Sequence, residues 1–270
     1  MTPFEAFLLG VVEGVTEYLP VSSTGHLLLT SHFLGIPKEL ADTFDIVIQF
    51  GAILAVVVHY RSTLRDHGAG LLARRPASVR LLASLVLAFI PTVILGLTLR
   101  KVIKHYLFGP KPVLVAMLVG GVIMIVVEAW RRRSREARPV TTLTDVTYKQ
   151  AAAIGIGQCF SMFPGASRSM CTIVAGQLAG LSTETAAEFS FLLGLPTLGA
   201  ASLYEAYKDR AALAAIGGLN VAIGVVVSFL VAWAVIAAFL KYLKRFGLAP
   251  FGVYRIVAAG VFFLFLVRAA

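Results

Sequence analysis

The segment 13–26 reads Glu-Gly-Val-Thr-Glu-Tyr-Leu-Pro-Val-Ser-Ser-Thr-Gly-His and interrupts an otherwise apolar run. A second interruption, Pro-Gly-Ala-Ser-Arg-Ser at 164–169, lies in the other half of the chain. A charged side chain near the centre of a bilayer costs about 2.5–3.5 kcal/mol, so Glu13, Glu17 and Arg168 would together cost about 8 kcal/mol if they faced lipid. These three side chains must therefore face one another, water or a ligand.

Composition places the chain in a membrane. Hydrophobic residues make up 58% of the 270 residues, charged residues only 14%, and the mean hydropathy is +0.85. Soluble domains carry about 25% charged residues. We therefore expect an all-α polytopic membrane protein, built as a single membrane domain over residues 1–270. The formal charge of +10 resides in short loops between apolar runs, so nucleic acid is excluded as a partner and membrane lipids are expected.

Apolar runs of about 20 residues predict six transmembrane helices. They lie near 43–60, 80–99, 113–130, 187–205, 213–240 and 250–268. The stretches 5–33 and 150–181 contain the two interruptions, and each forms either one kinked span or a re-entrant hairpin of two half-helices. We expect hairpins, because non-helical backbone at membrane depth survives only where it is buried or lines a cavity.

The two halves of the sequence resemble each other in spacing. Pro20 is followed by Phe44-Asp-Ile, and Pro164 by Phe189-Ser-Phe at nearly the same distance. Each half has three spans after its hairpin, which is an odd number. We therefore predict an inverted repeat, with residues 1–130 and 150–270 as its two halves and the basic loop 131–149 between them.

The distribution of positive charge predicts the orientation. Loops 61–80, 131–149 and 241–250 hold fourteen of the 24 Lys and Arg residues, against eight on the other side. Cytoplasmic loops are enriched in Lys and Arg, so the first set should be cytoplasmic. Both termini and the mouth of the first hairpin then face outward.

Glu13 and Glu17 are four residues apart and share one helix face. Like charges at this spacing destabilise a helix. The pair persists only if a proton is shared or a cation lies between the carboxylates. Mg²⁺ or Ca²⁺ is the expected cofactor, with Glu13 and Glu17 as metal ligands, because hard cations prefer carboxylate oxygens. A protonated structural pair is the alternative.

Hydroxyl groups follow the first proline. Ser22, Ser23 and Thr24 stand at the start of a new half-helix, whose free N–H groups form an anion site. Simple N-capping is the alternative role for these residues. His26 follows Ser23 by three residues, so one helical turn can bring the imidazole toward that hydroxyl. We expect His26 to be catalytic, with a purely structural histidine as the alternative.

The second interruption offers a phosphate clamp. Ser167 and Ser169 flank Arg168 at another helix N-terminus, and the guanidinium fork matches phosphate oxygens. Pairing with Glu13 or Glu17 is the structural alternative for Arg168. Acids, hydroxyls and an imidazole at one interruption and this clamp at the other indicate phosphoryl transfer.

Segments 13–26 and 164–169 closely resemble the undecaprenyl-diphosphate phosphatase family of bacteria, the bacitracin-resistance type. Phe44-Asp-Ile-Val-Ile-Gln49-Phe-Gly, Glu188-Phe-Ser-Phe-Leu-Leu and Tyr254-Arg255 extend the resemblance to nearly the whole chain. Met170-Cys171 departs from the family, where small residues such as Gly-Ala are more usual, and this difference could alter packing beside the clamp.

The resemblance implies hydrolysis of undecaprenyl diphosphate to undecaprenyl phosphate on the outer face of the bacterial cytoplasmic membrane. This reaction recycles the cell-wall lipid carrier and confers resistance to bacitracin. The resemblance also implies a divalent cation and a polyprenyl diphosphate lipid as substrate; a homodimer stays open.

Two questions remain at this point. A polyprenyl-phosphate transporter or flippase is the alternative function, because inverted repeats with broken helices are typical of transporters. Ser23 is our expected nucleophile, with His26 as its base; His26 itself and a metal-bound water are the rivals.

Overall fold

The computed structural model describes residues 1–107, 109–133, 139–208 and 210–268, with backbone alone at 100–106, 205, 210–212 and 266–268. Residues 134–138 of the predicted basic loop lie outside the described residues. The chain is helical, and its α-helices are α1 (Pro3–Thr16), α2 (Ser23–Phe33), α3 (Lys38–His59), α4 (Arg61–Leu72), α5 (Pro76–Tyr106), α6 (Pro110–Arg133), α7 (Tyr148–Cys159), α8 (Arg168–Leu178), α9 (Thr183–Lys208), α10 (Arg210–Ile216), α11 (Gly218–Phe246) and α12 (Ala249–Arg268).

Five described helices are long and apolar enough to cross a bilayer. They are α3, the segment Pro76–Leu99 of α5, α6, α9 and α11. They confirm a polytopic helical membrane protein and match five of the six predicted spans. The sixth prediction, 250–268, falls on α12, whose described apolar part, Ala249–Phe265, is shorter than the other five.

The predicted span 213–240 is wrong at its start. Residues 213–216 belong to the short helix α10, and α11 begins only at Gly218. Gly217 separates the two helices with φ = +89°, a left-handed conformation that glycine adopts at little cost. Hydropathy alone did not reveal this break because the residues on both sides of it are apolar.

Each interrupted stretch forms two short helices rather than one kinked helix. α1 and α2 are joined by residues 17–22, and α7 and α8 by residues 160–167, which include a 3₁₀ turn at Phe160–Met162. These four helices have 14, 11, 12 and 11 residues. At 1.5 Å per residue each is only about 16–21 Å long, well short of a bilayer core about 30 Å thick.

Small residues bring the helices into close contact. α1 packs along α11, α7 along α5, and α6 against α12. At the α6–α12 crossing, a Cβ atom added to Gly121 would lie 2.7 Å from the carbonyl oxygen of Gly252, and the reverse substitution would give the same distance. Close backbone approach of this kind is a common way to pack helices in membranes. The crossing fixes α12 against α6, next to both breaks.

Candidate active site

The two breaks end in the same local structure. Ser22 and Ser167 both have positive φ angles, 75° and 73°, which is uncommon for a residue other than glycine. Each is the N-cap of the helix that follows, and its Oγ accepts a hydrogen bond from the N–H three residues later, in Gly25 and Met170 respectively. The strained backbone at each position sets the direction of the helix that follows, and the two helices come from opposite halves of the sequence.

Glu17 joins the first residues of these two helices. Ser23, which begins α2, donates a hydrogen bond from Oγ to Glu17 Oε2 at 2.7 Å. Arg168, which begins α8, donates from Nη2 to Glu17 Oε1 at 3.0 Å and forms a buried ion pair with it. One carboxylate therefore contacts both a hydroxyl and a guanidinium. The pairing of Arg168 with an acidic residue is the contact expected of a ligand-free state.

The remaining contacts of Arg168 hold it in place. Its Nη1 donates to the carbonyl oxygen of Ser190 at 2.9 Å, and the guanidinium lies 5.6 Å from the centroid of the Tyr18 ring. A Cβ atom at Gly194 would come within 3.1 Å of the guanidinium, so glycine leaves room for it. Nε of Arg168 has no hydrogen-bond partner among the described residues. The two terminal nitrogens thus hold the side chain in place, and Nε remains able to donate to a ligand.

Glu13 is the least satisfied polar side chain of the site. It is 1% exposed, and neither carboxylate oxygen has a hydrogen-bond partner in the described part of the chain. It lies within electrostatic range of the carboxylates of Glu17 and Asp45 and of the Arg168 guanidinium. A buried charge without partners is costly unless a counter-ion or a proton compensates it.

The Glu13 carboxylate fits a hard cation. Mg²⁺ is often bound by one or two carboxylates together with water and substrate phosphates. The described residues contain no group of three or more His, Cys, Asp or Glu side chains that could hold a metal ion. Glu13 and Glu17 would therefore supply only part of a coordination shell, and substrate or water oxygens would have to supply the rest.

The structure does not place His26 against Ser23. Nδ1 of His26 lies 2.8 Å from the carbonyl oxygen of Ser22, and Nε2 lies 2.7 Å from the hydroxyl of Tyr254, whose ring is stacked on the imidazole. Ser23 bonds to Glu17 instead. Our expectation that helical spacing brings His26 to Ser23 as its base is thus wrong for this state. Both ring nitrogens are engaged elsewhere, and Glu17 is the acceptor at the serine.

The other predicted phosphate-binding residues occupy different positions. Ser22 and Ser167 cap their helices, so the capping role that we considered for the first of them is present. Ser169 donates to the carbonyl oxygen of Leu19 and thereby ties the second break to the first. Its Oγ also lies 3.0 Å from Oγ of Ser167. Thr24 is exposed at the start of α2.

Arg255 is a central residue to which the sequence patterns assign no role. It is fully buried, and its guanidinium donates to five backbone carbonyl groups, those of Pro20, Ala116, Met117, Gly165 and Ala166. Three of these carbonyls belong to the two breaks. Its signal in the sequence was a lone arginine within the apolar run of α12. Asp45, Ser190 and Tyr254 lie in the segments that carry the family resemblance, but the sequence patterns assigned them no role in the site.

The family of the chain follows from comparison with known proteins. The family described as bacitracin resistance protein BacA matches residues 6–261. Undecaprenyl-diphosphatase of Sorangium cellulosum is 56% identical over 265 residues, covering 97% of this chain and 86% of the relative. Undecaprenyl-diphosphatase 2 of Rhodospirillum rubrum is 46% identical, covering 93% and 90%. Undecaprenyl-diphosphatase of Deinococcus radiodurans is also 46% identical, covering 97% and 94%. The chain belongs to the bacitracin resistance protein BacA family.

Proposed function

We propose that the chain hydrolyses undecaprenyl diphosphate to undecaprenyl phosphate and inorganic phosphate. The names of its relatives support this activity. The observation that carries it is the Glu17 contact, because a hydroxyl, a carboxylate and a guanidinium meet there at two helix N-termini. Phosphoryl transfer to a serine needs a hydroxyl as nucleophile, a base to take its proton and positive charge to stabilise the phosphate.

The geometry supports Ser23 as the nucleophile and Glu17 as its base. Oγ of Ser23 attacks the terminal phosphorus while its proton passes to Oε2 of Glu17. The bond from that phosphorus to the bridging oxygen breaks, and undecaprenyl phosphate leaves. Glu17 then passes that proton to the departing phosphate. Water attacks the phosphoserine while Glu17 accepts its proton, the bond from the phosphorus to Oγ of Ser23 breaks, and Glu17 returns the proton to Oγ as inorganic phosphate is released. The Glu17 carboxylate is already within hydrogen-bond reach of the hydroxyl, as such a base must be.

Arg168 and the helix N-termini bind the negative charge of the substrate. When the diphosphate arrives, Arg168 exchanges Glu17 for phosphate oxygens, and Glu17 is then free to accept the serine proton. The free N–H groups at the starts of α2 and α8 add partial positive charge at the same place. Ser22, Thr24, Ser167 and Ser169 remain our predicted phosphate-binding residues.

The cation belongs to the same proposal. Glu13 and Glu17 would hold a divalent cation, either Mg²⁺ or Ca²⁺, which would supply positive charge to the diphosphate oxygens. Excess chelator should abolish phosphate release, and Glu13→Gln should weaken Mn²⁺ binding measured by electron paramagnetic resonance. Full activity in chelator would leave a shared proton as the better explanation for the two glutamates.

The site is proposed to open on the outer face of the bacterial cytoplasmic membrane. The excess of Lys and Arg in loops 61–80, 131–149 and 241–250 supports this orientation. The short lengths of α1, α2, α7 and α8 support two re-entrant hairpins in an inverted repeat, with α12 as the sixth span. The oligomeric state stays open between a monomer and a homodimer, and the mass of the purified protein–detergent complex decides between them.

A lipid flippase is the less favoured alternative, since transport needs no nucleophile–base pair. Phosphate release from undecaprenyl diphosphate by pure protein in detergent separates the two activities. We expect stoichiometric phosphate and undecaprenyl phosphate. Lipid movement across vesicles without phosphate release would support the transporter instead.

A further inference from the structure

An apolar groove runs along α6 beside the second break. It has a volume of about 770 Å³, within the range of sites that enclose a small molecule, and its lining is almost wholly apolar. We call it the α6–α8 groove, because α6 forms one wall and α8 the other. It follows α6 from Lys111 to Ile123, a rise of about 18 Å. That length is close to the depth of one leaflet, about 15 Å, or half of a bilayer core.

The groove borders the second break. Pro164 and Ala166 of the second break line it, and Arg168 follows only two residues later. Arg255 donates a hydrogen bond to the carbonyl oxygen of Ala166. The groove therefore begins next to the break from which α8 and Arg168 start. The floor includes Met170, whose flexible thioether side chain adapts to an irregular chain.

A second apolar groove of about 540 Å³ lies between α1, α11 and α12. We call it the α1–α12 groove. Leu19 and Val21 of the first break line it, as do Tyr242 and Pro250 of the basic loop 241–250, so in the proposed orientation it opens into the inner leaflet. The α6–α8 groove instead begins at Lys111, on the side with fewer positive charges. A substrate in the outer leaflet reaches only the latter.

We propose that the α6–α8 groove binds the polyprenyl chain of the diphosphate lipid and directs its head group to Arg168. This inference rests on the proposed function and its orientation. Lipid tails are as apolar as leucine, so moving the chain from lipid into the groove gains no hydrophobic energy. The groove acts through close packing and by fixing the direction of the chain, and its effect on specificity is correspondingly moderate.

The test uses tryptophan substitutions that narrow the groove and leave the site residues unchanged. Val119 lines the groove and is 48% exposed, so Val119→Trp can fill it at little cost to folding. Val122, on the same helix, is 46% exposed but outside the lining, and Val122→Trp is the matched control. Val235→Trp fills the α1–α12 groove. Each variant is assayed for kcat/KM with undecaprenyl diphosphate and with isopentenyl diphosphate, whose single isoprene unit spans only a small part of the groove.

We expect Val119→Trp to lower kcat/KM for undecaprenyl diphosphate, relative to kcat/KM for the short substrate, about fivefold, or ~1 kcal/mol. The loss should come from a higher KM for the long lipid. Val122→Trp and Val235→Trp should leave the ratio unchanged. An unchanged ratio in Val119→Trp, or an equal fall in Val122→Trp, would overturn the assignment. A fall only in Val235→Trp would place the polyprenyl chain in the α1–α12 groove.

If Val119→Trp does not fold, Val115→Trp on the same wall replaces it. Wild-type protein that releases no phosphate from either lipid would refute the proposed function itself.

Discussion

Glu17 is the residue that joins the two breaks at the candidate site. Its two oxygens contact residues from opposite halves of the chain, Ser23 at 2.7 Å and Arg168 at 3.0 Å. Hydrogen bonds to an ionised group are stronger than those between neutral groups. In the proposed mechanism the diphosphate draws Arg168 away from Glu17 as it binds, which would couple substrate binding to activation of the nucleophile.

The identity of the nucleophile can be tested by trapping the phosphoenzyme. We expect acid-stable phosphate on Ser23 after a brief reaction with labelled diphosphate lipid, because Glu17 is placed to take its proton. Ser23→Ala should trap none and be nearly inactive. Acid-labile, base-stable phosphate on His26 would instead assign the attack to the imidazole, whose ring nitrogens in this structure face Ser22 and Tyr254.

The sequence predicts which residues form the site better than it predicts the contacts between them. Glu13, Glu17 and Arg168 stand out because charges are costly in an apolar run, and Ser23 because it follows a helix-breaking proline. Helical spacing failed for His26, because its partner Tyr254 is 228 residues away and no local pattern reveals that contact. The roles of these residues in catalysis stay predictions.

At the scale of the helices, Arg255 holds the two breaks in register. Its five hydrogen bonds reach α6 and both breaks, and a lysine cannot reproduce this fork of donors. Arg255→Lys should lose at least two of these bonds and about 2–3 kcal/mol of stability. We expect a clearly lower unfolding temperature in detergent.

The control for this variant is Arg132→Lys, since Arg132 is exposed and pairs with Glu128 one turn away on α6. Exposed ion pairs contribute about 0–1 kcal/mol, so this variant should unfold near the wild-type temperature. Equal unfolding temperatures for Arg255→Lys and the wild type would show that the breaks are held by other contacts.

The spans of the helices were predictable from hydropathy, whereas their interruptions were predictable only where proline or polar residues mark them. Pro20 and Pro164 indicated the two breaks. The break at Gly217 was missed, because glycine within an apolar run has no clear signature. The orientation of the helices still rests on charge alone.

Labelling of single cysteines tests that orientation in a background with Cys159 and Cys171 replaced by serine. A cysteine at Lys111, outside by the charge distribution, should react with a membrane-impermeant thiol reagent in intact cells. A cysteine at Thr141, in the basic loop 131–149, should react only after the cells are opened. The reverse pattern would place the site on the cytoplasmic face.

At the scale of the whole molecule, the two halves of the chain contain the same local structure, and the two copies meet at the site. Each ends a short helix at a break, caps the next helix with a serine at positive φ, and offers the first residue of that helix to Glu17. The halves differ in what they offer, a hydroxyl from one and a guanidinium from the other. In the proposed mechanism this asymmetry gives one half the attacking group and the other half the phosphate-binding group.

The shared site at Glu17 can be tested by a double-mutant cycle on phosphate release from undecaprenyl diphosphate. Ser23→Ala, Arg168→Ala and the double variant are compared by kcat/KM, with unfolding temperatures to confirm that each folds. If both residues act as one unit through Glu17, each single variant loses activity by orders of magnitude and the double variant loses little more than the worse single one. Losses that multiply in the double variant would contradict a single shared site.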